Sequence, residues 1–321
     1  MKDELFSIII PTYNRSHFIV EALDSVISQT YRPIEIVLID DGSTDNTRNV
    51  VRDWFKAYED DSKLSLRYIY QQNMGPSAAR NRGIQEVPSG YVLFFDSDDR
   101  LYPQCLDKFA AAFKSRKADL VVSGYNIFDN DTGQIIKQIY GRPSESQLEL
   151  VLKGDLVVFP LRIAFAQSLV ERVGLWAVDM ETGEDREFIE RAFCLADNPI
   201  GIHDILGSIR RGSSGHRSQN YNQACRVRCE VTLLRNICRR RDINSNAINA
   251  LISRITRIGC KLNRLGFNEL GRCCADAVSY CGVPLSVAER VKIILCRSGR
   301  IGGILYTAFT MMKKSDSSRV G

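Results

Sequence analysis

Three carboxylates lie within four positions, directly after an apolar run. Asp96, Asp98 and Asp99 follow residues 92–95, whose continuous apolar character predicts a buried strand. Ligands of open α/β sheets bind beyond the carboxyl ends of the strands, and carboxylates packed this closely repel one another unless a cation neutralises them. Mg²⁺ and Mn²⁺ combine one or two carboxylates with substrate phosphates. The segment therefore predicts a divalent-metal site that receives a diphosphate; the alternative is a solvated acidic turn.

Alternating strands and helices position these acids. The apolar runs that predict strands are residues 6–10, 34–39 and 66–70, and the helical segments that separate them are residues 18–30, 46–58 and the stretch that opens at Pro76. Strand and helix in alternation imply a parallel sheet with helices on both faces. The predicted fold class is therefore α/β, Rossmann-like, with a mostly parallel sheet.

Three of the predicted strands end in polar loops at one sheet edge, at residues 11–14, 40–45 and 96–99. Asp41 can accept hydrogen bonds from a base, Tyr13 can stack on a ring, and Arg80 lies at the start of a helix whose amides favour phosphate. Each residue alone could be a turn carboxylate, a core tyrosine or a surface arginine. Their convergence favours a ligand site. Ser43 or Thr44 is expected to cap the following helix.

Four motifs in order carry a resemblance to a known family. They are Ser-Ile-Ile-Ile-Pro-Thr-Tyr-Asn at 7–14, Val-Leu-Ile-Asp-Asp-Gly-Ser-Thr-Asp at 37–45, Gly-Pro-Ser-Ala-Ala-Arg-Asn-Arg-Gly at 75–83 and Phe-Phe-Asp-Ser-Asp-Asp at 94–99. Over residues 5–215 the chain resembles the family 2 glycosyltransferases of the GT-A fold, of the type that builds bacterial cell-surface polysaccharides. The resemblance implies inverting transfer of a hexosyl or N-acetylhexosaminyl group from a nucleotide-diphospho-sugar, usually a UDP-sugar.

The resemblance also implies roles for single residues. Pro11, Tyr13 and Asp41 would hold the base, Asp98 would contact Mn²⁺ or Mg²⁺, and Asp96 would complete the Asp-x-Asp pattern and touch the ribose. The expected nucleotide-sugar contacts are Pro11, Thr12, Tyr13, Asn14, Asp40, Asp41, Ser43, Gly75, Arg80, Asp96 and Ser97. The expected metal contacts are Asp98, Asp96 and His216.

A second acidic pair, Glu184 and Asp185, follows Gly183 and begins a predicted helix. Family members carry a Gly-Glu-Asp motif here, so Asp185 is the expected general base, with Glu184 beside it. Displacement at an anomeric carbon needs a base for the acceptor hydroxyl on one side and a stabilised diphosphate on the other. Without the other motifs, the pair would be interpreted as carboxylates that offset a helix dipole.

The chain departs from the family pattern at residues 209–216. Gly212 stands where family members often have a histidine, so His216 or an arginine, Arg210 or Arg211, is the expected substitute as a phosphate or metal contact. The missing histidine leaves open an alternative function, that of a catalytically degenerate homologue that binds a nucleotide sugar or a partner. A nucleotidyltransferase is disfavoured because residues 11–14 are not a Gly-rich loop with Lys or Arg.

The net charge of +5 hides an asymmetry. Residues 1–204 carry 22 Lys+Arg against 32 Asp+Glu, whereas residues 205–321 carry 21 against 6. The later residues are helical by period, which predicts a catalytic domain over 1–218 and a basic α-helical appendage over 219–321. The appendage is expected either to lie on an anionic membrane surface near a lipid-linked acceptor, or to form a packed hairpin or a homodimer interface.

Other features bound the location and partners. The first residues form no signal-peptide core, no apolar run reaches the roughly 18 residues of a membrane span, and the ten cysteines form no paired CxxC set. We expect a cytoplasmic protein, peripheral on the inner face of the cell membrane. The processive Gln-x-x-Arg-Trp motif is absent, which favours transfer of one sugar to a saccharide or lipid-linked acceptor. A nucleic-acid partner is not expected, because no binding module is recognisable.

Overall fold

The computed structural model describes residues 4–58, 64–144, 146–180, 183–211, 223–238, 245–279 and 287–298. The strands are β1 (Phe6–Thr12), β2 (Ile34–Asp40), β3 (Leu64–Tyr70), β4 (Tyr91–Phe94), β5 (Arg100–Leu101), β6 (Leu120–Asp129), β7 (Ile135–Ile139), β8 (Ile163–Ala166) and β9 (Pro199–Arg211). The helices are α1 (Ile19–Ile27), α2 (Thr47–Lys56), α3 (Pro76–Glu86), α4 (Cys105–Arg116), α5 (Gln147–Lys153), α6 (Gln167–Val173), α7 (Glu184–Leu195), α8 (Gln223–Cys238), α9 (Ser245–Arg264), α10 (Asn268–Ser279) and α11 (Val287–Arg297), with a 3₁₀ turn at Pro160–Arg162.

The chain divides into two compact units that are interleaved in sequence. The first comprises Met1–Leu148, Val157–Met180 and Glu184–His216, and the second comprises Glu149–Leu156, Glu181–Gly183 and Arg217–Gly321. The short segment Glu149–Leu156 therefore groups with the helical unit, although it precedes that unit by about sixty residues. Nothing in its composition predicts this assignment, because the sequence analysis placed one boundary at residue 218.

The first unit is built on one sheet with the strand order β3-β2-β1-β4-β8-β6-β9-β5, and β7 pairs with β6. β3, β2, β1 and β4 run parallel. Every residue of β1 and β2 is buried, as expected for apolar strands covered on both faces. This confirms the predicted α/β class and the parallel arrangement of the strands that carry the motifs.

The other half of the sheet is mixed. β8 runs antiparallel to both β4 and β6, while β6 and β9 are parallel. Residues 130–133 connect β6 to β7, and these two strands form an antiparallel hairpin. The acidic segment after β4 leads directly into β5, which pairs antiparallel with β9.

The helices of the first unit follow their predicted apolar faces, with shorter ends. In α1, the residues buried against the sheet are Ile19, Ala22, Leu23 and Val26. The expected cap of α2 is wrong, because neither Ser43 nor Thr44 bonds to the first turn. Instead Asp45 Oδ1 accepts hydrogen bonds from the Thr47 amide, at 3.0 Å, and from its hydroxyl. Ser43 is used elsewhere, as described below.

The second unit consists of α8 to α11 together with Glu149–Leu156. The predicted apolar stripe of α9 is buried at Ile248, Leu251, Ile252, Ile255, Ile258 and Leu262, whereas Leu265 is 53% exposed. Not every arginine is solvated: Arg254 forms a buried ion pair with Glu230, at 2.6 Å, and donates to the carbonyls of Val151 and Leu152. Among the described helices, none is both long and apolar enough to cross a bilayer. The apolar segment 301–312 lies outside the described residues.

Candidate functional site

The carboxyl ends of β1, β2 and β4 meet at one edge of the first unit's sheet. The strand register pairs Thr12 with Asp40 and Ile9 with Phe94. Because these strands are parallel, the loops that follow them begin side by side. These loops cover residues 13–18, 41–46 and 95–99. The convergence predicted from the sequence is therefore present.

The first two loops hold each other through hydrogen bonds. The Asn14 amide donates to Ser43 Oγ at 3.0 Å, and Asn14 Oδ1 accepts from the Thr44 amide at 2.8 Å. Asn14 adopts a left-handed conformation, with φ of 53°, which asparagine tolerates better than most residues. Tyr13 is 44% exposed, whereas Pro11 and Thr12 are buried in β1. The two loops thus form a frame that presents the Tyr13 ring at the surface.

Asp40 and Asp41 have different tasks. Asp40 is fully buried and accepts hydrogen bonds from the Ser43 amide and the Tyr68 hydroxyl. Asp41 accepts from Gln71 Nε2 at 2.7 Å and from the amides of Met74 and Gly75 at 2.8 Å. Asp41 therefore fixes the chain just before α3. Asp40 was expected to contact a ligand, but its complete burial assigns it to the internal support of the loop.

Two glycines of the site have a positive φ, a backbone conformation that residues with a side chain rarely adopt. Gly42 has φ of +82°, and a Cβ there would lie 2.8 Å from the Asn73 amide nitrogen. Gly75 has φ of +89° and precedes α3, and a Cβ there would meet nothing within 4 Å. The close approach at Gly42 joins two loops, whereas the space beside Gly75 leaves the amino-terminal end of α3 open to a ligand.

The acidic segment after β4 divides into exposed and buried members. Asp96 is the more exposed member, with 34% of its side chain exposed. Asp98 is largely buried, with 12% of its side chain exposed and its Oδ2 3.6 Å from Arg15 Nε. Ser97 and Asp99 are buried. Burial raises the pKa of Asp99 well above its ordinary value, and the charges of Asp98 and Asp96 raise it further. The Arg210 amide and charge act in the opposite direction and lower the pKa of Asp99.

Arg210 supports this segment from behind. Its amide donates to Asp99 Oδ1 at 3.0 Å and its Nε donates to the Asp98 carbonyl at 2.8 Å. Its guanidinium also pairs with Glu21 and bonds to Asn130 Oδ1. The side chain is only 4% exposed. Arg210 therefore holds the acidic loop in place, and the expectation that it neutralises a bound diphosphate is wrong because its donors are used internally.

One guanidinium connects the two acidic groups. Arg80 Nη2 donates to Asp96 Oδ1 at 2.9 Å, and Arg80 Nη1 lies 2.9 Å from Asp185 Oδ1 in the first turn of α7. Burial alone would lower the pKa of Arg80, but the charges of Asp185, Asp96 and Glu184 raise it instead. Asp96 and Asp185 are 89 residues apart in sequence and share one cation. The structure thus brings together the two acidic groups that the sequence predicted.

An aromatic layer fixes the Arg80 guanidinium, which lies 4.4 Å over the Trp176 ring. The Asn81 side chain bonds to both the amide and the carbonyl of Trp176, at 2.7 and 3.0 Å. Trp176 stacks on Phe188 of α7, with ring centroids 4.1 Å apart, and meets Phe94 of β4 edge-on. Because Phe188 lies in α7, the same layer that orients Arg80 also fixes the start of the helix that carries Asp185.

The acidic segment has the chemistry for a divalent ion but supplies few ligands. Asp96 is partly exposed and Asp98 is largely buried, and both carboxylates lie near Asp99, whose ionised form is disfavoured by burial and by their charges. Within the part of the chain that the structure describes, no three His, Cys, Asp or Glu side chains surround one metal position. A hard cation can take one or two carboxylates from a protein and complete its shell with phosphates and water. His216 lies outside the described residues.

Two contacts were not predicted. Arg15, which directly follows the first motif, lies against Asp98, and Trp176 supports Arg80 from a position 95 residues beyond Asn81. The position of Arg15 next to residues 11–14 is a signal that sequence reasoning could have used. No local pattern points to Trp176. The intermediate burial of Glu184 leaves its side chain beside Asp185 at the rim.

Comparison with known proteins adds family information. A sequence model described as "Glycosyl transferase family 2" matches residues 7–171, more than half of the chain. Glycosyltransferase GlyA of Streptococcus pneumoniae is 35% identical over 141 residues, which is 43% of this chain and 19% of GlyA. The chain thus spans only a small part of the length of this relative.

Two solved structures share the fold. S. aureus TarS 1–349 in complex with UDP-GlcNAc aligns with a TM-score of 0.71 and 19% identity, covering 94% of this chain and 91% of that one. Mannosyltransferase PcManGT from Pyrobaculum calidifontis, in complex with GDP-Man and Mn²⁺, aligns with a TM-score of 0.59 and 17% identity, covering 98% and 89%. At these identities the likeness establishes the GT-A fold alone.

Proposed function

Because the chain belongs to glycosyl transferase family 2, we propose that it transfers one sugar from a nucleotide-diphospho-sugar to a hydroxyl of a saccharide or lipid-linked acceptor, with inversion. The observation that supports this most is the shared guanidinium of Arg80, which pairs with Asp96 and Asp185 at 2.9 Å each. Both carboxylates are about one-third exposed, so a ligand can reach them. A single displacement needs a nucleotide site and a base in one pocket.

The donor is proposed to bind at the edge formed by β1, β2 and β4. The exposed Tyr13 ring can stack on the base. Asp41 is only 4% exposed, but its Oδ2 accepts one hydrogen bond, from the Gly75 amide, and is proposed to accept a second from the base. Asp96 can accept from a ribose hydroxyl, and the open end of α3 at Gly75 offers amides to phosphate. TarS was solved with UDP-GlcNAc, which favours a UDP-sugar as the donor.

Asp185 is proposed as the general base. A carboxylate that takes the proton of an acceptor hydroxyl must be held in orientation and reachable. Asp185 meets both conditions, since Arg80 Nη1 forms an ion pair with its Oδ1 at 2.9 Å and the side chain is one-third exposed. Glu184 lies one position earlier and is proposed to contact the sugar or the acceptor. The base and the acidic segment then act on opposite sides of the transferred sugar.

Mn²⁺ or Mg²⁺ is proposed as the cofactor, with Asp98 and Asp96 as the protein ligands. When bound, such an ion offsets the negative charge that develops on the departing diphosphate. The Arg15 guanidinium next to Asp98 adds positive charge at the same place. PcManGT was solved with GDP-Man and Mn²⁺, which is consistent with this assignment.

The proposal is tested by nucleotide release from a panel of UDP- and GDP-sugars, with Mn²⁺ and with water as the acceptor. We expect one donor to be turned over by the wild type, and expect Asp185→Asn and Asp98→Ala each to lower that rate about 100-fold or more. Asp53→Ala is the matched control, because this side chain is 61% exposed on α2 and pairs with Arg52 and Lys56 on the same helix. It should keep the wild-type rate.

The outcomes separate the two functions considered. Equal, slow release by the wild type and Asp98→Ala from every donor would refute catalysis. If the wild type still bound a nucleotide sugar, the degenerate binding homologue would be supported instead. A positive result with one donor would also identify the sugar.

A further inference from the structure

Arg80 contacts carboxylates from both halves of the proposed site. We propose that it is a positioning residue through which nucleotide binding at Asp96 and the placement of Asp185 are linked. This inference rests on the proposed function and adds a coupling that the separate roles of donor site and base do not require. Its basis is the geometry of a single guanidinium with one carboxylate on each terminal nitrogen.

The fork is rigid. The side chain is 4% exposed, its Cζ lies 4.4 Å over the Trp176 ring, and Trp176 is held at both backbone groups by Asn81. Within the described residues, neither Nε nor Nη1 of Arg80 makes a hydrogen bond, so the 2.9 Å contact of Nη1 with Asp185 is an ion pair, whereas Nη2 donates a hydrogen bond to Asp96. The plane of the guanidinium is therefore set by the aromatic layer and the two carboxylates. A planar guanidinium presents its N–H groups in fixed directions and can orient two carboxylates at once, whereas the lysine ammonium is a point charge on a flexible chain.

The charge is shared. Asp185, Asp96 and Glu184 all act on one buried cation, so the positive charge available to any one of them depends on the others. An anionic diphosphate beside Asp96 competes for the same charge. Removing the charge of Asp185 should therefore leave more of the Arg80 charge for the nucleotide, although Asp185 itself lies on the base side. Such linkage is reciprocal in binding free energy.

A double-mutant cycle on nucleotide affinity tests the coupling without using turnover. UDP binding in the presence of Mn²⁺ is measured by calorimetry for the wild type, Asp185→Asn, Arg80→Gln and the double variant. We expect Asp185→Asn to tighten UDP binding about three- to tenfold when Arg80 is present, and less than about twofold in the R80Q background. The same factor in both backgrounds would overturn the proposal.

Control and backup variants keep this result interpretable. Arg82→Gln is the matched control, because Arg82 is on the same helix, is 49% exposed and pairs with Glu86 one turn away. It should leave the effect of Asp185→Asn intact. If Arg80→Gln does not fold, Arg80→Met replaces it, since it removes the charge and keeps a long unbranched side chain that can pack on the Trp176 ring.

Steady-state kinetics supply the second readout. We expect Arg80→Lys to lower kcat about tenfold or more with a smaller change in the donor KM, because a displaced base affects the transition state more than donor binding. A raised KM with an unchanged kcat would reduce Arg80 to a nucleotide contact. If the wild type turns over a donor but the effects of Asp185→Asn and Arg80→Gln on UDP affinity are additive, the coupling is refuted and the proposed function stands. If the wild type turns over no donor, the proposed function is refuted.

Discussion

Arg15 illustrates how much one side chain can decide at the residue scale. Its Nε lies 3.6 Å from Asp98 Oδ2, and the two side chains are 28% and 12% exposed. An ion pair of this length in partly solvated surroundings contributes at most about 1 kcal/mol. A divalent cation that arrives with a diphosphate can therefore replace Arg15 at Asp98, after which the guanidinium is free to contact phosphate oxygens.

Arg15→Ala should separate these two roles. Without the neighbouring positive charge, the affinity of the nucleotide-free protein for Mn²⁺ should rise a few-fold, while the affinity for UDP should fall by about tenfold as a charge-assisted contact is lost. Electron paramagnetic resonance of free Mn²⁺ measures the first quantity, and calorimetry measures the second.

Arg52→Ala is the control for this experiment, because Arg52 is 60% exposed and pairs with the neighbouring Asp53. It should change neither affinity. If Arg15→Ala weakened Mn²⁺ binding instead, Arg15 would be a support of the metal site and not a competitor for it.

At this scale the sequence predicts which side chains stand at the strand ends, but not what holds them. Asp96 and Asp98 follow a buried apolar run, and Asp185 opens a helix, so their positions can be derived locally. Arg80 was expected near phosphate, yet its contact with Asp185 depends on a loop that returns Trp176 to Asn81 across 95 residues. Contacts over such separations depend on packing that no local pattern specifies.

At the scale of elements, the loop after β2 is held by its own backbone conformation. Gly42 follows Asp40 and Asp41 in sequence. Asp40 accepts a hydrogen bond from the Ser43 amide within this loop, and Asp41 holds the chain before α3 by accepting one from the Met74 amide. The φ of +82° at Gly42 and the nearby Asn73 amide leave no room for a side chain. The shape of the nucleotide edge therefore depends on a glycine that contacts no ligand in the proposal.

Gly42→Ala should destabilise the first unit by about 2 kcal/mol or more, since it combines a left-handed conformation with a steric clash. It should also weaken UDP binding. Chemical denaturation gives the first value. Gly133→Ala is the matched control, because Gly133 also has a positive φ, of +69°, but has nothing within 4 Å of the added Cβ. It should cost about 1 kcal/mol and leave UDP binding unchanged; equal losses from both variants would contradict the role given to Asn73.

The elements themselves were predictable where composition and periodicity are strong. The fully buried β1 and β2 and the stripes of α1 and α9 were expected from their apolar residues. The antiparallel direction of β8 was not, because a strand of four residues carries no signal for its orientation. The residue that caps α2 was misassigned for a related reason. Ser43, Thr44 and Asp45 can all cap a helix, and only the tertiary hydrogen bond to Asn14 shows that Ser43 is used elsewhere.

At the scale of the whole molecule, the excess of positive charge after residue 204 suggests an anionic binding partner. The residues after 204 carry 21 Lys+Arg against 6 Asp+Glu, and α11 exposes Val291 and Ile294 next to the exposed Arg290. Apolar side chains beside arginine are typical of helices that lie on anionic membranes. We therefore propose that the second unit attaches to an anionic lipid surface, where a lipid-linked acceptor would be found.

Vesicle co-sedimentation tests this attachment. The protein should bind vesicles that contain phosphatidylglycerol, bind neutral vesicles poorly, and lose affinity as salt rises. Replacing Val291 and Ile294 together by serine should weaken binding about tenfold or more, given the contribution of a buried aliphatic side chain.

The chain offers a control pair in the first unit. Ile135 and Ile136 on β7 are 51% and 55% exposed, comparable to Val291 at 48% and Ile294 at 62%. Serine at both β7 positions should leave vesicle binding unchanged. Equal loss from the two pairs, or equal binding to neutral vesicles, would contradict a specific lipid-facing surface on α11.

The buried Arg254 has a consequence for anyone who shortens this protein. Its guanidinium is satisfied by Glu230 on α8 and by the carbonyls of Val151 and Leu152. Deleting everything after residue 216 would therefore strip Glu149–Leu156 of the neighbours with which it folds, and would expose Leu150, Val151 and Leu152 to water. A minimal catalytic fragment should carry a redesigned, polar segment at 149–156. During synthesis, this segment can bind Arg254 only after α8 and α9 have been translated.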